Sequence, residues 1–188
     1  MIIRQENDGD ADAIHEVTLA AFQGKPYSSG TEAQIVGALR AAGALTISLV
    51  AEYHDEIVGH VAFSPVTING RPGRWYGLGP VSVTPMRQRK GAGTALIETG
   101  LRQLRKLGAE GCVLLGDPAY YARFGFVNDP ALRYRGADPK YFQRLSFTGE
   151  VPTGEVAFHP AFDVTGEEAV ASGAERLPLL AVPPVEEL

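Results

Sequence analysis

The spacing of apolar positions changes several times along the chain, and each change marks a new element. Ile2 and Ile3 stand before the polar cluster Asn7, Asp8, Gly9 and Asp10, a pattern that predicts a short strand, a turn and a helix cap. From Ala11 to Phe22 the residues Ile14, Val17, Leu19, Ala21 and Phe22 recur at roughly helical spacing, until Gly24 and Pro26 stop the run. A second helix carries Ile35, Leu39 and Ala42 on one face, with Ser29 or Thr31 as its cap and Gly43 as its end. The pattern then becomes that of strands. Residues 45–52 read as one strand, His54, Asp55 and Glu56 as a turn, and Ile57, Val58, Val61 and Phe63 as the antiparallel partner. After a turn at Asn69 and Gly70, residues 75–83 form the next strand.

Thr84 and Pro85 end that strand, and residues 86–94 open a long helical pattern. Ile97, Leu101 and Leu104 fall on one of its faces and Glu98, Arg102 and Arg105 on another, with Glu98 four residues before Arg102; Gly108 closes it. Cys112, Val113, Leu114 and Leu115 form a short continuous apolar run. Such a run fits a strand buried on both faces and joined through the helix to the preceding strand as a βαβ crossover. Asp117 and Pro118 cap a brief helix through Tyr120, Tyr121 and Phe124 that ends at Gly125, and Phe126 and Val127 resume extended structure. Asp138 and Pro139 repeat the cap signal before Tyr141 and Phe142, and residues 155–158 alternate like a late strand. The sheet is therefore mixed. Beyond Phe162 the composition shifts toward proline and glutamate, so a domain over 1–162 and a C-terminal tail over 163–188 are expected.

Composition narrows the chemistry. Of 188 residues 45% are apolar and 21% charged, the balance of an ordinary globular protein. No stretch approaches the roughly 18 consecutive apolar residues of a membrane helix, and the start lacks the features of a signal peptide, so a cytoplasmic location without membrane contact is expected. The single Cys112 forms no internal disulfide, and four scattered histidines without paired spacing predict no metal site. With 17 basic and 22 acidic side chains the net charge is -5, which weighs against nucleic acid as the partner and toward cationic small molecules.

The segment 88–94 follows a strand, carries Gly91 and Gly93, and opens a helix. Glycines let a backbone approach an anion, and the free amides of the helix start point toward it. The spacing fits neither a P-loop nor a dinucleotide fingerprint; a plain strand-to-helix turn that binds nothing is the other reading.

Val83-Thr84-Pro85 followed by Gln88-Arg89-Lys90-Gly91-Ala92-Gly93 resembles the Q/R-x-x-G-x-G/A signature of the GNAT superfamily of acyl-CoA N-acyltransferases. Tyr121-Ala122-Arg123-Phe124-Gly125-Phe126 is similar to the Y-x-x-x-G-F element of that family, at the right distance and in the right order. Residues 1 to about 160 are covered by the resemblance. It implies an α/β (α+β) fold with a mixed, mostly antiparallel sheet, helices on both faces and the central βαβ crossover. It also implies acetyl-CoA as co-substrate, its pantetheine arm between splayed fourth and fifth strands on the backbone of Val81, Ser82 and Val83. The pyrophosphate would rest on Gln88, Arg89, Lys90, Gly91, Ala92, Gly93 and Thr94, with Arg87, Arg89 and Lys90 adding charge toward the phosphates. Tyr121 would donate a proton or hydrogen bond to the departing sulfur, while Tyr120 is expected to serve packing.

Acetyl transfer also needs a neutral amine. The fourth strand carries no carboxylate to act as its base; Glu32, Glu52, His60 and Asp117 are the candidates elsewhere, and a water chain or an amine that arrives neutral would serve as well. The family builds its acceptor side from the first two helices, the loop between them and the late strands; in that loop and at the start of the second helix, Tyr27 and Glu32 are the expected substrate-binding residues. The activity implied is transfer of acetyl to a primary amine of a small molecule or peptide, by a monomer or homodimer. The alternative is an acyl-CoA-binding sensor without turnover.

Overall fold

The structure, a computed structural model, describes residues 1–164. In chain order it contains β1 (Ile2–Gln5), α1 (Ala11–Phe22), α2 (Glu32–Ala41), β2 (Ile47–Tyr53), β3 (Glu56–Ile68) and β4 (Arg71–Val83). These are followed by α3 (Ala92–Lys106), β5 (Gly111–Leu115), α4 (Pro118–Tyr121), β6 (Leu132–Arg133), β7 (Phe142–Ser146) and β8 (Gly154–Ala157). The main sheet runs β1-β2-β3-β4-β5-β7 and is antiparallel except where β4 meets β5. β8 pairs with the far end of β3 and, in parallel, with β6. Apart from Asp163 and Val164, the C-terminal segment read from sequence as a tail lies outside the described residues. No helix among the described residues is long and apolar enough to cross a membrane.

Two differences from the sequence pattern have physical causes. β4 begins at Arg71 rather than Trp75, because Asn69 and Gly70, with φ of 53° and 72°, make a two-residue hairpin turn that pairs Ile68 with Arg71. The polar residues before Trp75 are thus strand despite their lack of alternation. β7, which the sequence pattern does not predict, completes its ladder only against β5, 27 residues upstream where Leu115 faces Phe142, and such pairing leaves little local signal.

Strand alternation sorts the core into two layers. Val61 and Phe63 of β3 and Cys112 and Leu114 of β5 face α3, where Leu96, Ile97, Leu101 and Leu104 meet them. α3 lies so close that a Cβ on Gly100 would run into the Phe63 ring. On the opposite face Val66, Trp75, Val113 and Leu115 pack with Ile35 and Leu39 of α2. Ile14, Val36 and Val50 join α1, α2 and β2 beside them.

A polar seam runs through that second layer. Arg40 of α2 donates from Nε and Nη2 to the two carboxylate oxygens of Glu6, each at 2.9 Å, and the Ser48 hydroxyl donates to Glu6 Oε2. With its only hydrogen committed there, Ser48 Oγ accepts from His60 Nε2 at 2.8 Å, which leaves His60 Nδ1 as a bare, enclosed lone pair. Burial holds His60 down to about 4; Glu6 opposes this shift and Arg40 adds to it. Burial alone would raise the Glu6 carboxyl, but the Arg40 and Ser48 hydrogen bonds outweigh it and the net direction is down.

His60 therefore folds as a neutral ring. Below its ordinary value of 6.5 the unfolded chain takes up a proton that the folded chain refuses until about pH 4. The free energy of unfolding should fall as pH drops through that window, with a limiting slope of about 1.4 kcal/mol per pH unit from this residue. Urea titrations across the window check this: His60→Gln should flatten the dependence, and an undiminished slope would contradict it.

Candidate active site

The site begins with a pairing that stops. Trp75, Tyr76 and Gly77 of β4 pair in parallel with Gly111, Cys112 and Val113 of β5, yet β4 continues to Val83. Beyond Gly77 no strand among the described residues pairs with the β5-facing edge of β4. Its other edge stays on β3, where Phe63 faces Leu78 but Val61 faces Val81. β4 thus carries one extra residue around Gly79 and Pro80, a bulge that bends the strand and increases its twist. β5 meanwhile follows β7 along its whole length. The two strands part, and the backbone of Val81, Ser82 and Val83 lines one wall of the opening.

At the end of β4 the chain turns sharply into α3. Gln88 Nε2 donates to Val83 O at 3.0 Å and folds the loop back on the strand. Arg89 has φ of 61° and Gly91 of 87°, and α3 starts directly afterwards. Left-handed residues just before a helix make its backbone N–H groups converge in a concave cradle. In the first turn the amides of Ala92, Gly93 and Thr94 have no acceptor within the helix. Of the three cations expected to face phosphates, Arg87 lies over the Tyr53 ring at 3.7 Å and Lys90 Nζ donates to Met86 O at 3.0 Å. Both help to shape the loop. Tyr53, at the end of β2, has no sequence signal that links it to a loop more than thirty residues later.

The other wall ends in α4. Asp117 Oδ1 accepts from Ala119 N at 2.9 Å, with Pro118 at the first helical position, so the cap turns the chain immediately after β5. Tyr121 is buried, with its ring against Gly116 and edge-on to Tyr120 and Phe126 at centroid distances of 4.9 and 6.0 Å. Burial pushes its phenol up, and Tyr120, Cys112 and Asp117 add to the shift. The phenol therefore keeps its proton at neutral pH, and its oxygen has no hydrogen bond among the described residues.

The four candidate bases are engaged elsewhere. Glu52 accepts from Arg4 Nε at 2.7 Å on the outer strands, and Asp117 caps α4. His60 is fully enclosed in the polar seam. Glu32 accepts from Ser28 Oγ at 2.8 Å and from Ser29 N at 2.9 Å. It does, however, line a cavity of 560 Å³ between α1, α2 and their loop, with Thr18, Phe22, Lys25 and Ser28. Thr18 Oγ1 meets Ser82 Oγ at 3.1 Å, which ties the floor of this cavity to β4. Tyr27 lies outside the lining and packs edge-on against Phe22 at 6.5 Å. The Thr18–Ser82 link was missed from sequence because neither residue stands out in a helix or strand pattern.

A sheet that opens at one parallel pair, with a cradle on one lip and a buried tyrosine on the other, defines a class. Residues 2–127 match the GNAT acetyltransferase domain, and the chain belongs to that family. It is 35% identical over 170 residues to the uncharacterized N-acetyltransferase YhbS of Escherichia coli, which covers 87% of this chain and 99% of that protein. A GNAT family acetyltransferase from Brucella melitensis, solved with acetyl-CoA, is 54% identical and superposes with a TM-score of 0.78 over 86% of this chain and 97% of its own. YhbS from E. coli, solved with CoA, gives a TM-score of 0.80 at 34% identity, over 88% of this chain and 93% of its own. The fold read from the motifs is the fold observed.

Two glycines of the site should respond differently to alanine. At Gly116 a Cβ would collide with the Tyr121 ring and come within 2.7 Å of Leu114 Cδ1, so Gly116→Ala should cost about 1–3 kcal/mol and shift the near-ultraviolet tyrosine signal. At Gly91 the space is open and only the left-handed backbone resists, so Gly91→Ala should cost about 1–2 kcal/mol and leave that signal unchanged. Chemical denaturation and circular dichroism of both variants check the contrast.

Proposed function

We propose that the protein is an acetyl-CoA-dependent N-acetyltransferase acting on a primary amine of a small molecule or peptide. The observation that carries this reading is the unpaired edge of β4 leading straight into the cradle at the start of α3. An extended, amide-bearing arm ending in phosphates has the chemistry to satisfy both: its amides can pair with the strand edge of Val81, Ser82 and Val83, and its diphosphate with the amides of residues 89–94. Gln88 holds the loop in place for that contact. When bound, acetyl-CoA supplies the activated acyl group.

The chain's own residues supply the rest. Tyr121 holds a proton at Oη, available to the departing sulfur, because burial keeps the phenol from ionising. The amine enters from the cavity between α1 and α2, where the Glu32 carboxylate favours a cationic acceptor. As all four candidate bases have other partners or are enclosed, the amine arrives neutral or gives up its proton to water in that cavity. Tyr27 supports the cavity from behind Phe22.

A screen of primary amines with acetyl-CoA, following free thiol, tests the activity; acetyl-CoA binding without release of thiol for any amine would favour a sensor. In the enzyme, Tyr121→Phe should lower turnover by roughly 10²–10⁴-fold, the range of general acid–base assistance, with acetyl-CoA affinity nearly unchanged. Gly91→Glu should abolish the rise in melting temperature that acetyl-CoA produces, since a carboxylate would enter the cradle. Glu32→Gln should raise the Michaelis constant for the amine and leave that for acetyl-CoA unchanged, as bisubstrate kinetics will read directly.

A further inference from the structure

Tyr120 carries a hydroxyl that packing does not explain. The residue is 1% exposed, and its oxygen is enclosed without a hydrogen bond among the described residues. The ring is held on several sides: Tyr121 and Phe124 meet it edge-on at 4.9 and 5.5 Å, and the Arg123 guanidinium lies 4.5 Å from its centroid. Arg123 Nε also donates to the Tyr120 carbonyl at 2.9 Å. So clamped, the phenol cannot swing out to water; a partner must come to it. A phenylalanine would fill the same space without leaving a buried donor unsatisfied, a cost that ordinarily selects against tyrosine.

Thr94 and Glu98 of α3 and Arg123 bear on this phenol, and of these Thr94 stands in the first turn of α3, the same turn whose amides form the cradle. Threonine in a helix divides between two side-chain rotamers, and its hydroxyl can donate once while accepting from another group. We propose that Tyr120 is a positioning residue for the cofactor: its O–H donates to Thr94 Oγ1 and aims the threonine O–H at a phosphate oxygen in the cradle. The chain of donors then runs from Tyr120 through Thr94 to the phosphate, whose oxygen, by taking the threonine hydrogen, turns a Thr94 lone pair toward the Tyr120 O–H. No bond is made or broken; the hydroxyls reorient. Consecutive tyrosines on α4 divide two tasks, Tyr121 at the sulfur and Tyr120 behind the phosphate turn, which replaces the sequence expectation that Tyr120 serves packing alone.

The inference rests on the reading of residues 88–94 as a phosphate site, and the experiment separates the two. CoA affinity by calorimetry, the melting temperature without ligand, and turnover at saturating acetyl-CoA are measured for Tyr120→Phe, Thr94→Val and the double variant. The expected result for Tyr120→Phe is a melting temperature at or above that of the unsubstituted protein, CoA binding weaker by about tenfold, and turnover at saturation within about twofold. Thr94→Val should weaken CoA binding at least as much, and the double variant no further than Thr94→Val alone, because the hydroxyls act in series. Thr94→Ser should retain affinity, which keeps the test valid if Tyr120→Phe folds poorly. Unchanged CoA affinity in Tyr120→Phe, additive losses, or lost turnover with intact affinity would each overturn the proposal. Failure of the unsubstituted protein to bind CoA would instead remove the phosphate site itself.

Discussion

Everything at the site follows from the point where β4 and β5 stop pairing. Parallel neighbours in the middle of a sheet normally satisfy one another along their length, because backbone N–H and C=O groups cannot be left buried without partners. Here the ladder ends after Gly77 and Val113, while β3 holds one strand and β7 the other. The extra residue near Gly79 and Pro80 turns β4 away, and proline removes a donor where the edge opens. The sheet therefore presents a strand edge to a ligand rather than to another strand. The crossover places one helix start on each lip: α3 begins where β4 ends, and α4 begins where β5 ends.

An opening of this kind needs rigid surroundings. On one face α3 approaches the sheet so closely at Gly100 that only glycine fits against Phe63. On the other, α1 and α2 are tied down by the Glu6, Arg40, Ser48 and His60 seam and by the contact of Thr18 with Ser82. Arg4 adds a further tie, with Asp10 at 2.6 Å and Glu52 at 2.7 Å, which joins β1 and β2 to the start of α1. Most of the buried polar chemistry thus serves the walls. That explains why two of the candidate bases read from sequence, His60 and Glu52, are occupied, while Glu32 is the carboxylate in the lining of the cavity between α1 and α2.

Local signals in the sequence were reliable where one element carries its own pattern. Ile97, Leu101 and Leu104 do line the buried face of α3, residues 112–115 form a strand buried on both sides, and Asp117 with Pro118 does cap α4. The glycine loop and the tyrosine motif stand on opposite lips of the opening. What escaped is pairing at a distance: β7 against β5, the bulge in β4, Tyr53 beneath Arg87, and Thr18 against Ser82. Each depends on which strands and helices become neighbours, and neither hydrophobic period nor turn chemistry encodes that. The orphan hydroxyl of Tyr120 is of the same kind, since only the packed structure shows that no partner reaches it.

The most direct test is amide hydrogen exchange with and without saturating acetyl-CoA. Exchange should slow in residues 78–84 and 89–95, the free edge of β4 and the cradle, and stay unchanged at Trp75, Tyr76 and Gly77, where β5 already pairs with the strand. Protection confined to the groove at the opposite end of β4, around Arg71, Arg74 and Glu110, would contradict the account. So would protection that leaves the free edge of β4 untouched.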